Sequence, residues 1–121
     1  MRILIHVLSL ALIAVAAQAH TRLSASTPAD GAVLDAPPEQ LTLQFSEPVR
    51  LTALSIERSD DGKQDLEPLP SGASAEFSVP APPLGDGSYV VSWRALSADS
   101  HVVSGRFAFA LDAAAPPGLE N

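Results

Sequence analysis

The sequence has 121 residues, no cysteine and a formal net charge of −7 at neutral pH. That length holds one domain with a modest core, and the acidic balance makes it a poor candidate for nucleic-acid binding, which depends on basic patches. Without cysteine there is neither a disulfide scaffold nor thiolate chemistry, so stability has to come from packing.

Met1 to Ala19 reads as a secretory signal peptide. Arg2 supplies the charged n-region, and Ile3 to Ala17 is an apolar run interrupted by His6 and Ser9. Ala17-Gln18-Ala19 is an A-x-A cleavage site. The run is short and wrongly flanked for a membrane span. The rival reading, an uncleaved anchor, is opposed by the small-residue site. Bacterial export is the expected route, and cleavage makes His20 the first residue of the mature chain.

The mature chain reads as short strands between Pro and Gly turns. Thr21 to Ser26 is the first expected strand, and Thr27-Pro28-Ala29-Asp30-Gly31 is turn chemistry. Asp35-Ala36-Pro37-Pro38 is a second break. Leu41-Thr42-Leu43-Gln44-Phe45 alternates with period two and points Leu41, Leu43 and Phe45 inward. Ser46-Glu47-Pro48 is expected to end that strand. Val49 to Glu57 is expected to form another, with Leu54 and Ile56 inward. Asp60-Asp61-Gly62-Lys63 is a hairpin-type turn, and the ligand repeat of an EF-hand is missing from it.

Asp65 to Ala75 is polar, carries Pro68 and Pro70, and is expected to be loop. Glu76 to Val79 is a short strand with Phe77 and Val79 inward, and Pro80 to Gly87 is loop again. Ser88 to Ala95 is the clearest strand, with Tyr89, Val91 and Trp93 on one face. His101 to Leu111 is the last, with Val103, Gly105, Phe107, Phe109 and Leu111 on one face. Asp112 to Asn121 is Ala- and Pro-rich and is expected to fray. The domain therefore spans residues 20–111. Many short strands with regular turns indicate an all-β fold, an antiparallel Greek-key β-sandwich or barrel of immunoglobulin-like type.

Candidate chemistry centres on Trp93-Arg94-Ala95-Leu96-Ser97-Ala98-Asp99-Ser100-His101. Asp99 and His101 are two residues apart; on extended backbone both project from one face, where a carboxylate and an imidazole can grip an ion. The alternative is a solvated turn before a strand. Parity places His101 either at the mouth of the sheet or as a buried, hydrogen-bonded histidine. His20 adds a second feature, because an N-terminal histidine offers its α-amine and its imidazole as a chelate.

If His20 lies beside Asp99 and His101, the donors are three nitrogens and a carboxylate oxygen. That set suits Cu(II) in tetragonal geometry, with zinc as runner-up. The only methionine is Met1, in the leader, so soft Cu(I) is expected to bind poorly. Glu47 is either a surface carboxylate or, near the metal, a group that orients the ligands from behind or a weak extra ligand. The histidines leave no room for a serine–histidine–acid triad, and no Gly-rich phosphate loop appears; no enzymatic activity is expected.

The sequence resembles the periplasmic copper-resistance protein C (CopC) family over His20 to Leu111. The resemblance rests on His20, on Ser26-Thr27-Pro28-Ala29-Asp30-Gly31, on Leu43-Gln44-Phe45-Ser46-Glu47-Pro48-Val49, and on Gly87 through His101. It implies a Greek-key β-domain that binds Cu(II) in the periplasm, acts as a chaperone or buffer in copper resistance, and passes copper to an inner-membrane transporter of the CopD type. Under it, His20, Asp99 and His101 match the family's copper ligands, and Glu47 matches a glutamate near that site. The chain departs from the family in reading Asp99-Ser100-His101-Val102 where many members have Asp-Gly-His-Pro or Asp-Thr-His-Pro. It also lacks methionine and histidine from Ser59 to Ala75, where some members carry a Cu(I) loop. A monomer with the Cu(II) site alone is expected. The competing readings are a copper monooxygenase built on an N-terminal histidine brace, and a metal-free β-sandwich that binds a protein partner.

Overall fold

The computed structural model describes residues 21–59 and 61–114. The expected signal peptide, His20 and most of the expected tail lie outside the described residues. Seven strands follow one another: β1 (Leu23–Thr27), β2 (Ala32–Leu34), β3 (Gln40–Arg58), β4 (Gly62–Asp65), β5 (Ala73–Pro80), β6 (Gly87–Ser97) and β7 (Val102–Leu111). They form one curled sheet in the order β1-β3-β6-β7-β2, with β4 and β5 also paired to β3. All pairings are antiparallel except that of β2 with β7, which is parallel.

The expected inward residues are buried. Leu41, Leu43, Phe45, Leu54, Ile56, Phe77, Val79, Tyr89, Val91, Trp93, Phe107, Phe109 and Leu111 all belong to one core. Trp93 is 6% exposed. Its ring meets Phe45 edge-on at 5.0 Å between centroids, the geometry that aromatic quadrupoles favour. Phe45 meets Phe77 in the same way at 6.1 Å, and Tyr89 stacks on Phe109 at 5.4 Å.

β3 differs from the expectation. Ser46-Glu47-Pro48 does not end a strand; it lies inside one continuous strand of 19 residues. The reason is an exchange of partners. Residues Thr42 to Phe45 pair with β1, and Val49 to Arg58 pair with β6. Pro48 has no N–H to give to a ladder, and it falls where neither partner asks for one. The β3–β5 register shifts across the same segment, between Gln44 and Val49. A second shift between Leu51 and Ala53 changes the inward parity from Val49 and Leu51 to Leu54 and Ile56, as a bulge does.

Three smaller differences concern the edges. β2, between the two expected turns and not itself expected, is pinned to β7 because Gly31 N donates to Ala108 O at 2.7 Å and Asp30 Oδ1 accepts from Ala108 N at 2.9 Å. β5 begins at Ala73, earlier than Glu76. Leu66, in the expected polar loop, is buried, and its N–H bonds Leu54 O at 2.9 Å, extending the β3–β4 ladder.

Candidate metal centre

The β6–β7 connection is a tight hairpin. Ser100 N donates to Ser97 O at 3.0 Å, Ser97 N donates to His101 O at 2.9 Å, and the ladder resumes at Leu96 opposite Val102. Ser100 adopts a left-handed conformation, with φ of 69°. A turn followed by a left-handed residue is a standard three-residue hairpin loop. The backbone from Asp99 to His101 is therefore not extended. The turn nonetheless brings the two side chains together: Asp99 Oδ2 lies 2.8 Å from His101 Nδ1. Both stand in solvent, His101 at 79% and Asp99 at 67% side-chain exposure. His101 thus sits at the mouth of the sheet, just before β7, and is not a buried core histidine.

Under the pair lies a residue that sequence reasoning passed over. Ser97 is the last residue of β6 and continues the inward row Tyr89, Val91, Trp93, Ala95. It is 8% exposed and, with Ser55, one of two buried polar side chains among the described residues. Its Oγ donates to Asp99 Oδ1 and also lies 3.1 Å from His101 O. A hydroxyl has one hydrogen, and the charged acceptor makes the stronger bond. The Ser97 bond comes first, and the His101 bond second, in lowering the Asp99 pKa from 3.8 to about 2. Asp99 is thus a carboxylate at any physiological pH. A hydroxyl at core parity was the signal that could have exposed Ser97.

The N-terminal end of β1 approaches the same region. Ser46 N donates to Arg22 O at 2.9 Å, Arg22 N donates to Ser46 Oγ at 3.1 Å, and Thr21 Oγ1 lies 3.4 Å from Glu47 Oε2. β1 and the end of β6 occupy the same edge of β3, because β5 occupies the opposite edge in both halves. Leu23 opposes Phe45 and Ser97 opposes Val49. The start of the described chain and the Asp99–His101 turn therefore flank Ser46-Glu47-Pro48. Glu47 contacts Thr21 and has no hydrogen bond to Asp99 or His101. Among the described residues no group of three or more His, Cys, Asp and Glu side chains is close enough to hold a metal. Asp99 and His101 form a pair, and His20 lies outside the described residues.

The pair fits a metal in its spacing. Two donors bound at about 2 Å and at right angles stand about 2.8 Å apart. His101 Nδ1 and Asp99 Oδ2 already have that separation. That is also the length of an ordinary hydrogen bond, so an ion could not take the proton's place between the two atoms; both side chains would have to turn toward it to become neighbouring ligands, with release of the proton.

A family model described as "CopC domain" matches residues 23–112. The copper resistance protein C of Pseudomonas syringae pv. tomato is 33% identical over 108 residues, covering 81% of this chain and 85% of that protein. The copper resistance protein C of Escherichia coli is 33% identical over 109 residues, with 80% and 85% covered. Both are named for resistance and neither for an enzymatic activity. Among solved structures, CopC from Methylosinus trichosporium OB3b superposes with a TM-score of 0.64 at 30% identity, covering 77% of this chain and 94% of that one. PcoC, described as a methionine-rich copper resistance protein from Escherichia coli, gives 0.58 at 30% identity, with 78% and 100% covered. The family match spans nearly all of the described residues, the relatives and solved structures agree with it, and the chain belongs to the CopC family.

Proposed function

We propose that this is an exported, periplasmic Cu(II)-binding protein of copper resistance, with His20, Asp99 and His101 as ligands once the leader has been removed after Ala19. The observation that carries the reading is the exposed Asp99–His101 pair on a turn that shares one edge of β3 with the start of the chain. The resistance names of its relatives agree with it. His20 supplies its amine and imidazole as a chelate, and the turn supplies a carboxylate oxygen and a second imidazole. Glu47, whose Oε2 lies 3.4 Å from Thr21 Oγ1, stands beside the N-terminal segment and orients the ligands from behind rather than binding the ion directly. The protein acts as a monomeric buffer or chaperone and passes copper to an inner-membrane transporter of the CopD type.

The test compares Cu(II) affinity for protein beginning at His20 with a form that retains one extra N-terminal residue. An extra residue turns the amine into an amide nitrogen, a poor donor until deprotonated. The expected result is a large loss of affinity without complete loss, with equal thermal melts of the two metal-free forms. His101→Ala is expected to weaken binding strongly. Asp99→Ala is expected to weaken it less, because water can replace a carboxylate oxygen. Equal affinities of the two N-terminal forms would show that the amine is not a ligand. Zinc in place of Cu(II) tests the competing metal, which the donor set is expected to bind more weakly.

A further inference from the structure

We propose that Ser97 is the positioning residue of the metal site, a buried hydroxyl that clamps the Asp99 carboxylate against His101 before any ion arrives. The inference rests on the Cu(II) reading above and deepens it. Three observations meet at this side chain. It is buried at the end of the core-facing row of β6, while the pair it serves is exposed. Its Oγ donates to Asp99 Oδ1, so one carboxylate oxygen is fixed from below while the other faces His101 Nδ1. Its backbone closes the same turn at both ends, through Ser97 N to His101 O and Ser100 N to Ser97 O.

A hydroxyl is a costly choice at a core position. Burying it unpaired is unfavourable, and Ala would avoid that cost. The bond to Asp99 compensates the burial and ties an exposed side chain to the rigid end of a strand. Without Ser97, Asp99 would be held only by the exposed ring of His101, and a metal would have to order both side chains at an entropic cost. The neighbouring His101 N–H, 3.4 Å from Asp99 Oδ1, is too long a contact to hold the carboxylate alone.

The experiment compares Ser97→Ala, Ser97→Thr and His101→Ala with the unaltered chain, all beginning at His20. Thermal melts establish the fold. Competition titrations give Cu(II) affinity, electron paramagnetic resonance reports the Cu(II) ligand field, and ring ¹⁵N shifts of His101 in metal-free protein report its bond to Asp99. For Ser97→Ala the expected result is a retained fold and an affinity lower by about tenfold, the lower end of what lost orienting partners cost. The Cu(II) spectrum should change, and the metal-free His101 shifts should move toward those of a free ring. Ser97→Thr keeps the hydroxyl and should restore all three. It also carries the test if Ser97→Ala does not fold. Unchanged affinity and unchanged His101 shifts in Ser97→Ala would overturn the clamp while His101→Ala still confirmed the site. A folded Ser97→Thr that fails to restore them would overturn it too. Full affinity in His101→Ala would overturn the Cu(II) site itself, and the role of Ser97 in it.

Discussion

Asp99, Ser100 and His101 show how much a single turn decides. Asp99 has its pKa lowered from 3.8 to about 2, chiefly by the Ser97 hydroxyl and next by His101. A depressed folded pKa means that the carboxylate's contribution to stability is complete above about pH 3.8 and is lost as the pH falls through about 2. Carboxyl ¹³C titration of metal-free protein should therefore place the Asp99 midpoint near 2, and Ser97→Ala should raise it toward 3.8. Ser100 gives a second expectation. A left-handed φ of 69° is unfavourable for any side chain with a Cβ, and glycine removes that strain at some cost in chain entropy. Ser100→Gly should stabilise the fold by about 0.5–1 kcal/mol in denaturant melts, with Cu(II) affinity unchanged because no ligand is altered. At this scale the pair was legible, since two potential ligands at a two-residue spacing stand out in a chain with few histidines. The conformation joining them was legible only as two alternatives, extended backbone or a solvated turn before a strand; the structure shows the turn, with a left-handed serine, and the turn itself makes the contact. Ser97 escaped notice because serine is common and its burial depends on β6 running on past Ala95.

Among the strands, legibility followed the strength of alternation. Tyr89, Val91 and Trp93 in β6 and Phe107, Phe109 and Leu111 in β7 announce their faces by period two, and all are buried. β3 was misjudged at Pro48 because a proline argues for a break only where its missing N–H is needed, and here the strand is changing partners. β2 offers three residues, too few for a period, and depends on Asp30 and Gly31 meeting Ala108 far along the chain. Leu66 is a lone apolar residue in a polar stretch, buried only because β4 continues by one bond. The β6–β7 pair also carries a steric expectation. Trp93 opposes Gly105, and a Cβ built on Gly105 meets Trp93 Cζ2 at 2.7 Å and Cε2 at 3.0 Å. The indole thus lies flat against bare backbone. Gly105→Ala forces the ring to shift within a packed core and should cost about 1–3 kcal/mol, while Trp93→Ala should cost about 3–5 kcal/mol through the cavity it leaves. The cost of Gly105→Ala should nearly vanish in the Trp93→Ala background, where the clash is gone. Additive costs in urea melts would mean that Gly105 is needed for some other reason.

For the whole molecule, the fold's main consequence is where it brings the start of the described residues. β1 and β6 lie end to end along one edge of β3, so the first strand points its N-terminal end at the Asp99–His101 turn across Ser46-Glu47-Pro48. Under the proposed cleavage after Ala19, a site assembled there draws only on nitrogen and oxygen, because the single methionine is Met1 and cysteine is absent. Nothing in the stretch from Ser59 to Ala75, on β4, β5 and their connection, adds a sulfur or an imidazole. Cu(I) is soft and favours thioether and thiolate donors, whereas Cu(II) takes imidazole, amine and carboxylate in tetragonal geometry. The mature chain should therefore bind Cu(II) much more tightly than Cu(I). Competition against one chelator specific to each oxidation state, the Cu(I) arm run without oxygen, measures both constants on the same preparation. Reduction of the loaded protein should release copper to the Cu(I) chelator, and reoxidation should return it. Under the Cu(II) proposal, reduction is one route of release, because a site that holds the oxidised ion far more tightly lets the reduced ion go; exchange with a ligand of higher Cu(II) affinity is the other. If Cu(I) proves to bind as tightly as Cu(II), the ligand set differs from the one proposed, and a second group of donors has to be sought away from the turn.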